Sequence, residues 1–378
     1  MSTPTPSRID RLRPIMAEGA LDALVYGVGA NFQYFSGLVT PWRREAEPAQ
    51  PGAVLVVDRD APPGLLLDAA HAHLAGVTEL AASVYADQSE LTALLRRSLS
   101  GNRVGTSRSA AAYLGEQIRL ARPSATCVDG EALGEILRII KEPAEIARLR
   151  RAAALTDRVM AAVVDQIRPG VTQNELSAMI ERAGRQLGAQ DVSFPPAALF
   201  VKSGTAPTPE PFVYPADEPL VQGTSVAFDF GFVLDGYCSD FGRSFYAGPA
   251  PEKIAGAYRA LQESQQELIS RLKPGAIRLN EMFDVIAAAM DRRGYGDRLR
   301  ARLKDGTLGH QIGVDLHEDP WLRHDSDVAL RPGMVMAIEP KAWSPGEYYL
   351  RVEDMVLITA GGAESLTSFD RDLFELPI

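Results

Sequence analysis

Val226-Ala227-Phe228-Asp229-Phe230-Gly231-Phe232-Val233-Leu234-Asp235-Gly236-Tyr237-Cys238-Ser239-Asp240 reads as two strands closed by a tight turn. Val226, Phe228 and Phe230 alternate onto one face, and Ala227, Asp229 and Gly231 onto the other. Asp-Gly is a strong signal for a two-residue hairpin turn. A turn at Leu234-Asp235 sets Asp229 and Asp240 directly opposite each other, whereas a turn at Asp235-Gly236 makes them diagonal neighbours. Either register puts both carboxylates on one face.

A second stretch repeats the device. Met334-Val335-Met336-Ala337-Ile338-Glu339 runs into Ser344-Pro345-Gly346, and Leu350-Arg351-Val352-Glu353 returns. The midpoint of Glu339 and Glu353 falls at Gly346, inside the turn, and Arg351 shares a face with Glu353. Adjacent like charges destabilise a sheet, and ionised carboxylates are costly to bury unpaired. A single pair could simply face solvent on an edge hairpin. Two hairpins, each with a carboxylate pair among apolar strand residues, point to a divalent cation.

Between the hairpins, Gly309-His310-Gln311-Ile312-Gly313-Val314-Asp315-Leu316-His317-Glu318-Asp319-Pro320 supplies imidazoles. The chain has only five histidines, so a metal site must draw mainly on carboxylates. His310 with four carboxylates is a hard, oxygen-rich donor set that suits manganese first, then cobalt or zinc. Bridging carboxylates of this kind can hold two ions roughly 3.5–4 Å apart and activate water between them.

Outward from this region, the first 130 residues alternate short apolar runs with helical stretches. Val54–Val57 and Leu65–Leu67 read as strands, and Leu91–Leu99 and Ala110–Leu120 as helices, giving a small α/β domain. From Leu133 to Val164 the chain is helix-forming apart from Pro143, with Ile146, Leu149, Ala153, Thr156, Met160 and Val163 on one face. A domain boundary is placed within residues 130–143, dividing the chain into 1–135 and 136–378. Arg168-Pro169-Gly170 stops that helix, and Thr172 with Glu175 forms a capping box for the next, through Leu176, Met179, Ile180 and Leu187. Lys273-Pro274-Gly275-Ala276, followed by Glu281-Met282, echoes Arg168-Pro169-Gly170-Val171 followed by Glu175-Leu176. The echo suits either two ordinary helix stops or a duplicated half. Seven prolines between Ser193 and Pro219 exclude a long regular helix there and favour irregular backbone with extended pieces.

Composition excludes several function classes. The 378 residues carry 39 basic and 49 acidic side chains, a formal charge of −10, which argues against a nucleic-acid partner. Two cysteines, Cys127 and Cys238, cannot build a disulfide framework or a cysteine-rich zinc site. No apolar run reaches the ~18 residues of a membrane span, and the first residues hold no signal-peptide core. The chain therefore reads as a cytoplasmic, globular protein.

These motifs resemble the pita-bread metallopeptidase family, which includes prolidase, aminopeptidase P, methionine aminopeptidase and creatinase. Asp229-x-Gly231 with Gly236-Tyr237-x-Ser239-Asp240, Gly309-His310-x-Ile312-Gly313 with His317-Glu318-x-Pro320, Ile338-Glu339-Pro340, and Arg351-Val352-Glu353-Asp354 fall in the family's order. Asn31-Phe32-Gln33-Tyr34-Phe35-Ser36-Gly37 and Arg138-Ile139-Ile140-Lys141-Glu142-Pro143-Ala144-Glu145-Ile146 resemble the creatinase/prolidase branch. The resemblance implies a creatinase-like α/β N-terminal domain and an α+β pita-bread domain with pseudo-twofold duplicated halves. It implies two divalent metal ions: Asp229 and Asp240 on one, Asp240, His310 and Glu339 on the other, with Glu353 bridging alongside Asp240. Glu339 would shuttle the proton, His317 would stabilise the oxyanion, and Arg351 would orient a carboxylate of the substrate or of Glu353. The implied activity is hydrolysis before proline in short proline-containing peptides by a homodimer, as a Xaa-Pro dipeptidase.

The sequence also departs from the family. Phe212 falls where a substrate-contacting histidine is usual, and no histidine occurs between His73 and His310. Glu210, Phe212 and Tyr214 are candidates to replace it. Gly242-Arg243-Ser244 stands for the usual Thr-Arg-Thr, and Gln311 for a common glycine. These changes bear on substrate rather than metal, and keep open aminopeptidase P activity on longer peptides, or a hydrolase or lyase of a non-peptide small molecule. A binding module without catalysis is a further alternative, opposed by the intact ligand set. Trp42-Arg43-Arg44 is a candidate loop to reach a dimer partner's active site.

Overall fold

A computed structural model describes residues 7–42, 52–108, 112–211, 217–372 and 374–378. Arg43, Arg44, Phe212 and Tyr214 lie outside the described residues. The backbone separates into two compact units, Met1–Arg138 and Ile139–Ile378.

The first unit is built on a six-stranded mixed sheet. Its strands lie in the order Ala81–Tyr85, Gly64–Asp68, Ala53–Asp58, Ala23–Gly27, Arg103–Thr106, Thr126–Asp129. Pairs around Ala53–Asp58 are antiparallel and the outer ones parallel. The two anticipated strands and two anticipated helices are present, the helices as Gln88–Ser98 and Ala112–Ala121. Val25, Val54, Val56, Leu66, Leu91, Leu95, Leu114 and Ile118 make one core between sheet and helices. Ala23–Gly27, Ala53–Asp58 and the centre of Gly64–Asp68 are buried, so they show no polar–apolar alternation.

The second unit consists of two similar halves. Each begins with a long helix, Pro143–Val164 or Glu252–Arg271, followed by a shorter one, Gln173–Gln186 or Met282–Arg292. Both helix pairs are joined through the echoed Pro-Gly, with Gly170 at φ +85° and Gly275 at φ +78°. That left-handed conformation suits glycine. The backbone then makes matching bridges, Thr172 to Pro219 and Arg278 to Ala329. Each half ends in a long hairpin entered through a second left-handed glycine, Gly223 or Gly333. The echo is thus a duplicated half rather than a coincidence of helix stops.

Both hairpins are interrupted partway. In the first, Thr224–Phe230 pairs with Phe241–Ala247, and beyond a break Phe232–Leu234 pairs with Tyr237–Cys238. In the second, Val335–Ile338 pairs with Asp354–Ile358, and beyond a break Lys341–Ser344 pairs with Tyr348–Arg351. The first turn falls at Asp235-Gly236, both at positive φ, so Asp229 and Asp240 are diagonal neighbours. Asp229 faces Gly242 in the ladder. Val226, Phe228 and Phe230 enter a core with Leu176, Ile180, Phe241 and Phe245. The second half has its own core around Leu261, Leu268, Ile286, Met336, Ile338 and Val356.

Candidate metal centre

Asp229 lies within the strand Thr224–Phe230, and the other three carboxylates gather at the hairpin interruptions. Asp240 lies between Tyr237–Cys238 and Phe241–Ala247, Glu339 just after Val335–Ile338, and Glu353 between Tyr348–Arg351 and Asp354–Ile358. Where the ladder breaks, the backbone turns these side chains inward without losing strand hydrogen bonds on either side. Glycine makes room for it: a Cβ on Gly231 or Gly309 would overlap the Ser239 or Ala337 carbonyl oxygen. His310 sits mid-strand in Gly309–Gln311, opposite Ala337.

Asp240, His310 and Glu353 each offer a ligand atom, and these atoms lie within 4.8 Å of one another. All three residues are buried. His310 Nδ1 lies 2.9 Å from the Gln311 carbonyl oxygen, which can only accept. Nδ1 therefore carries the proton, and the Nε2 lone pair is left 3.3 Å from Asp240 Oδ2. A lone pair facing a carboxylate oxygen is repulsive unless a proton or a metal cation lies between them. Two more buried acceptors, Asp229 Oδ1 and Glu353 Oε1, have no hydrogen-bond partner. Burial and the nearby Glu353 and Glu339 raise the Asp240 pKa well above the usual carboxylate range; burial raises Glu353 as well, partly offset by Arg351. The donor set is hard, buried, convergent and short of positive charge, which fits a divalent ion.

Two protein cations occupy part of this field. Arg351 donates to Asp229, to Glu339 at 2.5 Å and to Glu353 at 2.7 Å. Gly242 lets it in, because a Cβ there would fall 2.8 Å from its Cδ and Nε. Lys341 Nζ lies 2.5 Å from Glu339 Oε2. Burial opposes its charge, but Glu339 beside it raises the ammonium pKa overall. His317 stands at the rim with its ring perpendicular to His310, centroids 4.5 Å apart, and tilted on Trp321 at 5.1 Å. The residue is exposed, yet partial loss of the ring's hydration, with His310 next to it, lowers its pKa to about 4. His317 is accordingly neutral near pH 7.

Several residues build the site through pairings that their sequence motifs do not reveal. Arg243 is fully buried, ion-paired to Asp354 at 2.7 Å, and donates to the Glu353 carbonyl at 2.7 Å. Lys141 holds Glu318 at 3.1 Å and Gln311 at 3.3 Å, which ties down the His310 segment. Lys341 left one readable sign: a lysine next to an apolar strand pair, Ala342-Trp343, directly after Glu339-Pro340. Glu210 is exposed.

Comparison with known proteins agrees with this architecture. The Creatinase/Prolidase N-terminal domain matches residues 8–140, and Metallopeptidase family M24 matches residues 147–360. The chain is 34% identical over 262 residues to "Putative dipeptidase YkvY" of Bacillus subtilis, covering 69% of each. In structure it is similar to the Xaa-Pro dipeptidase from Bacillus anthracis, with TM-score 0.85, 24% identity, and 98% of this chain and 99% of that one covered. It is also similar to the prolidase from Pyrococcus furiosus, with TM-score 0.80, 25% identity, and 95% and 99% covered. The M24 match takes in more than half the chain, including both halves and every buried carboxylate of the centre, and this protein belongs to metallopeptidase family M24.

Proposed function

We propose that the protein is a divalent-metal-dependent Xaa-Pro dipeptidase, hydrolysing the peptide bond before proline. The observation that carries this reading is the buried convergence of Asp240, His310 and Glu353 with an imidazole lone pair turned toward carboxylate oxygen. Asp229 and Asp240 would hold one ion, and Asp240, His310 and Glu339 the other, with Glu353 joining both. Manganese is the ion expected first, from the oxygen-rich donor set. Bound there, the ions would supply an activated water and polarise the scissile carbonyl.

The chain's own residues would do the rest. Glu339 would accept the proton of the attacking water and deliver it to the prolyl nitrogen as the C–N bond breaks. Neutral His317 has one N–H to donate to the oxygen that gains negative charge in the tetrahedral transition state. Arg351, bonded to Asp229, Glu339 and Glu353, would hold three carboxylates in one arrangement. The names of two relatives, "Putative dipeptidase YkvY" by sequence and a prolidase by structure, support this choice of substrate. Manganese-loaded protein should release proline from Ala-Pro and Leu-Pro but cleave Ala-Pro-Ala poorly. Cleavage of tripeptides alone would assign aminopeptidase P activity instead, and no cleavage of either would refute the proposal.

A further inference from the structure

We propose that Lys341 is a specificity-determining residue that selects substrates carrying an anionic group close to the scissile bond. The inference rests on the reading of the carboxylate cluster as the catalytic centre. Lys341 opens the strand Lys341–Ser344, two residues after Glu339 and opposite Arg351 in the ladder. Ala342 turns into the apolar core, while Trp343 packs with Val201, Ala227 and Tyr349. Lys341 shares the Trp343 side of its strand, and Asp229 shares the Ala227 side of its own. The ammonium therefore lies on the face that carries the site.

An ammonium has three N–H donors. The one ion partner of Lys341 among the described residues is Glu339 Oε2, at 2.5 Å, with the side chain 12% exposed. Two donors are left for something else. Arg351 differs, since its guanidinium is spent on three carboxylates. Charge points the same way. Asp229, Asp240, Glu339 and Glu353 against Arg351 and Lys341 leave a net of two negative charges, and two divalent ions would turn that into two positive ones. A purely carboxylate-neutralising role for Lys341 is therefore superfluous once the ions are bound, and a largely desolvated cation in surplus favours an anion beside it. A substrate carboxylate supplies it, from either an acidic N-terminal side chain or the C-terminal carboxylate of a dipeptide.

The test compares manganese-loaded wild type, Lys341→Met and Lys341→Arg on Glu-Pro, Ala-Pro, Lys-Pro and Ala-prolinamide, with metal content measured for each. A side-chain source gives Glu-Pro over Ala-Pro over Lys-Pro; a C-terminal source gives Ala-Pro over Ala-prolinamide. In either case the preference should be about tenfold or more, the scale of a hydrogen bond to a charged group, and should sit mainly in KM. Lys341→Met should level it at unchanged metal content, and Lys341→Arg should restore much of it. Wild-type preferences that persist in Lys341→Met, or a wild type with no anionic preference in either pair, would overturn the proposal while leaving the dipeptidase reading intact. Should no peptide be cleaved, the dipeptidase reading falls, and calorimetric binding of the same uncleaved peptides to the wild type and Lys341→Met still decides the role of Lys341 by the same ratios.

Discussion

At the residue scale, the important pairings are those whose partners come from distant parts of the chain. Arg243 and Asp354 are both fully buried and 111 positions apart. Removing one member of such a pair strands the other charge, so Arg243→Met should cost about 3–5 kcal/mol in urea unfolding. The double variant with Asp354→Leu should recover part of that loss, because no uncompensated charge remains. Asp229, Asp240, His310, Glu339 and Glu353 could be singled out from sequence because carboxylates and a glycine-flanked histidine stand out among apolar strand residues. The pairing of Arg243 with Asp354 and of Lys141 with Glu318 could not be read, since their positions in the motifs do not say which charges meet once the fold closes over them. At the candidate ligands themselves, Glu353→Gln and His310→Ala should each abolish tight manganese binding, read by metal analysis after dialysis. Manganese retained at the wild-type level in both would place the metal elsewhere.

At the scale of elements, the two interrupted hairpins are held open by corresponding helix positions. Thr156 and Gln265 are each thirteen residues beyond the first residue of their long helix. Thr156 Oγ1 bonds Ser239 Oγ at 2.6 Å, at the break of the first hairpin. Gln265 donates to the Ile338 carbonyl at 2.9 Å, at the break of the second. Alternating apolar residues continue on both sides of each break, so hairpins were legible but their interruptions were not. The same limit applies to register: Asp-Gly announced a turn, while the choice between opposed and diagonal aspartates waited on the left-handed φ of Asp235 and Gly236. Gln265→Leu should remove one of the two hydrogen bonds on the Ile338 carbonyl, which keeps its ladder partner Asp354, and cost about 0.5–1.5 kcal/mol. It should also weaken metal binding about 10–100-fold, as loss of a group that orients ligands does. Calorimetric titration of manganese into the stripped variant checks this, and wild-type affinity would mean that the break needs no clamp.

At the scale of the whole molecule, the first unit carries its own sheet and apolar core, and the second unit its own sheets and two cores. The N-terminal unit alone, residues 1–138, should therefore give a cooperative thermal transition by circular dichroism, since its core residues pack within it. A featureless melt would show that it needs the rest of the chain. The duplicated plan of the second unit was visible in sequence only as the Pro-Gly echo, because pseudo-symmetry preserves turns and caps better than core side chains. Among the described residues no helix is long and apolar enough to cross a membrane. The function proposed from the fold, the family and the buried carboxylates is metal-dependent cleavage before proline. Its most direct test is proline released from Ala-Pro by protein stripped with chelator and then reloaded with manganese. Metal-dependent hydrolysis means no release from the stripped protein and restored turnover on reloading; turnover that persists in the stripped protein, or never appears in the reloaded one, would contradict it.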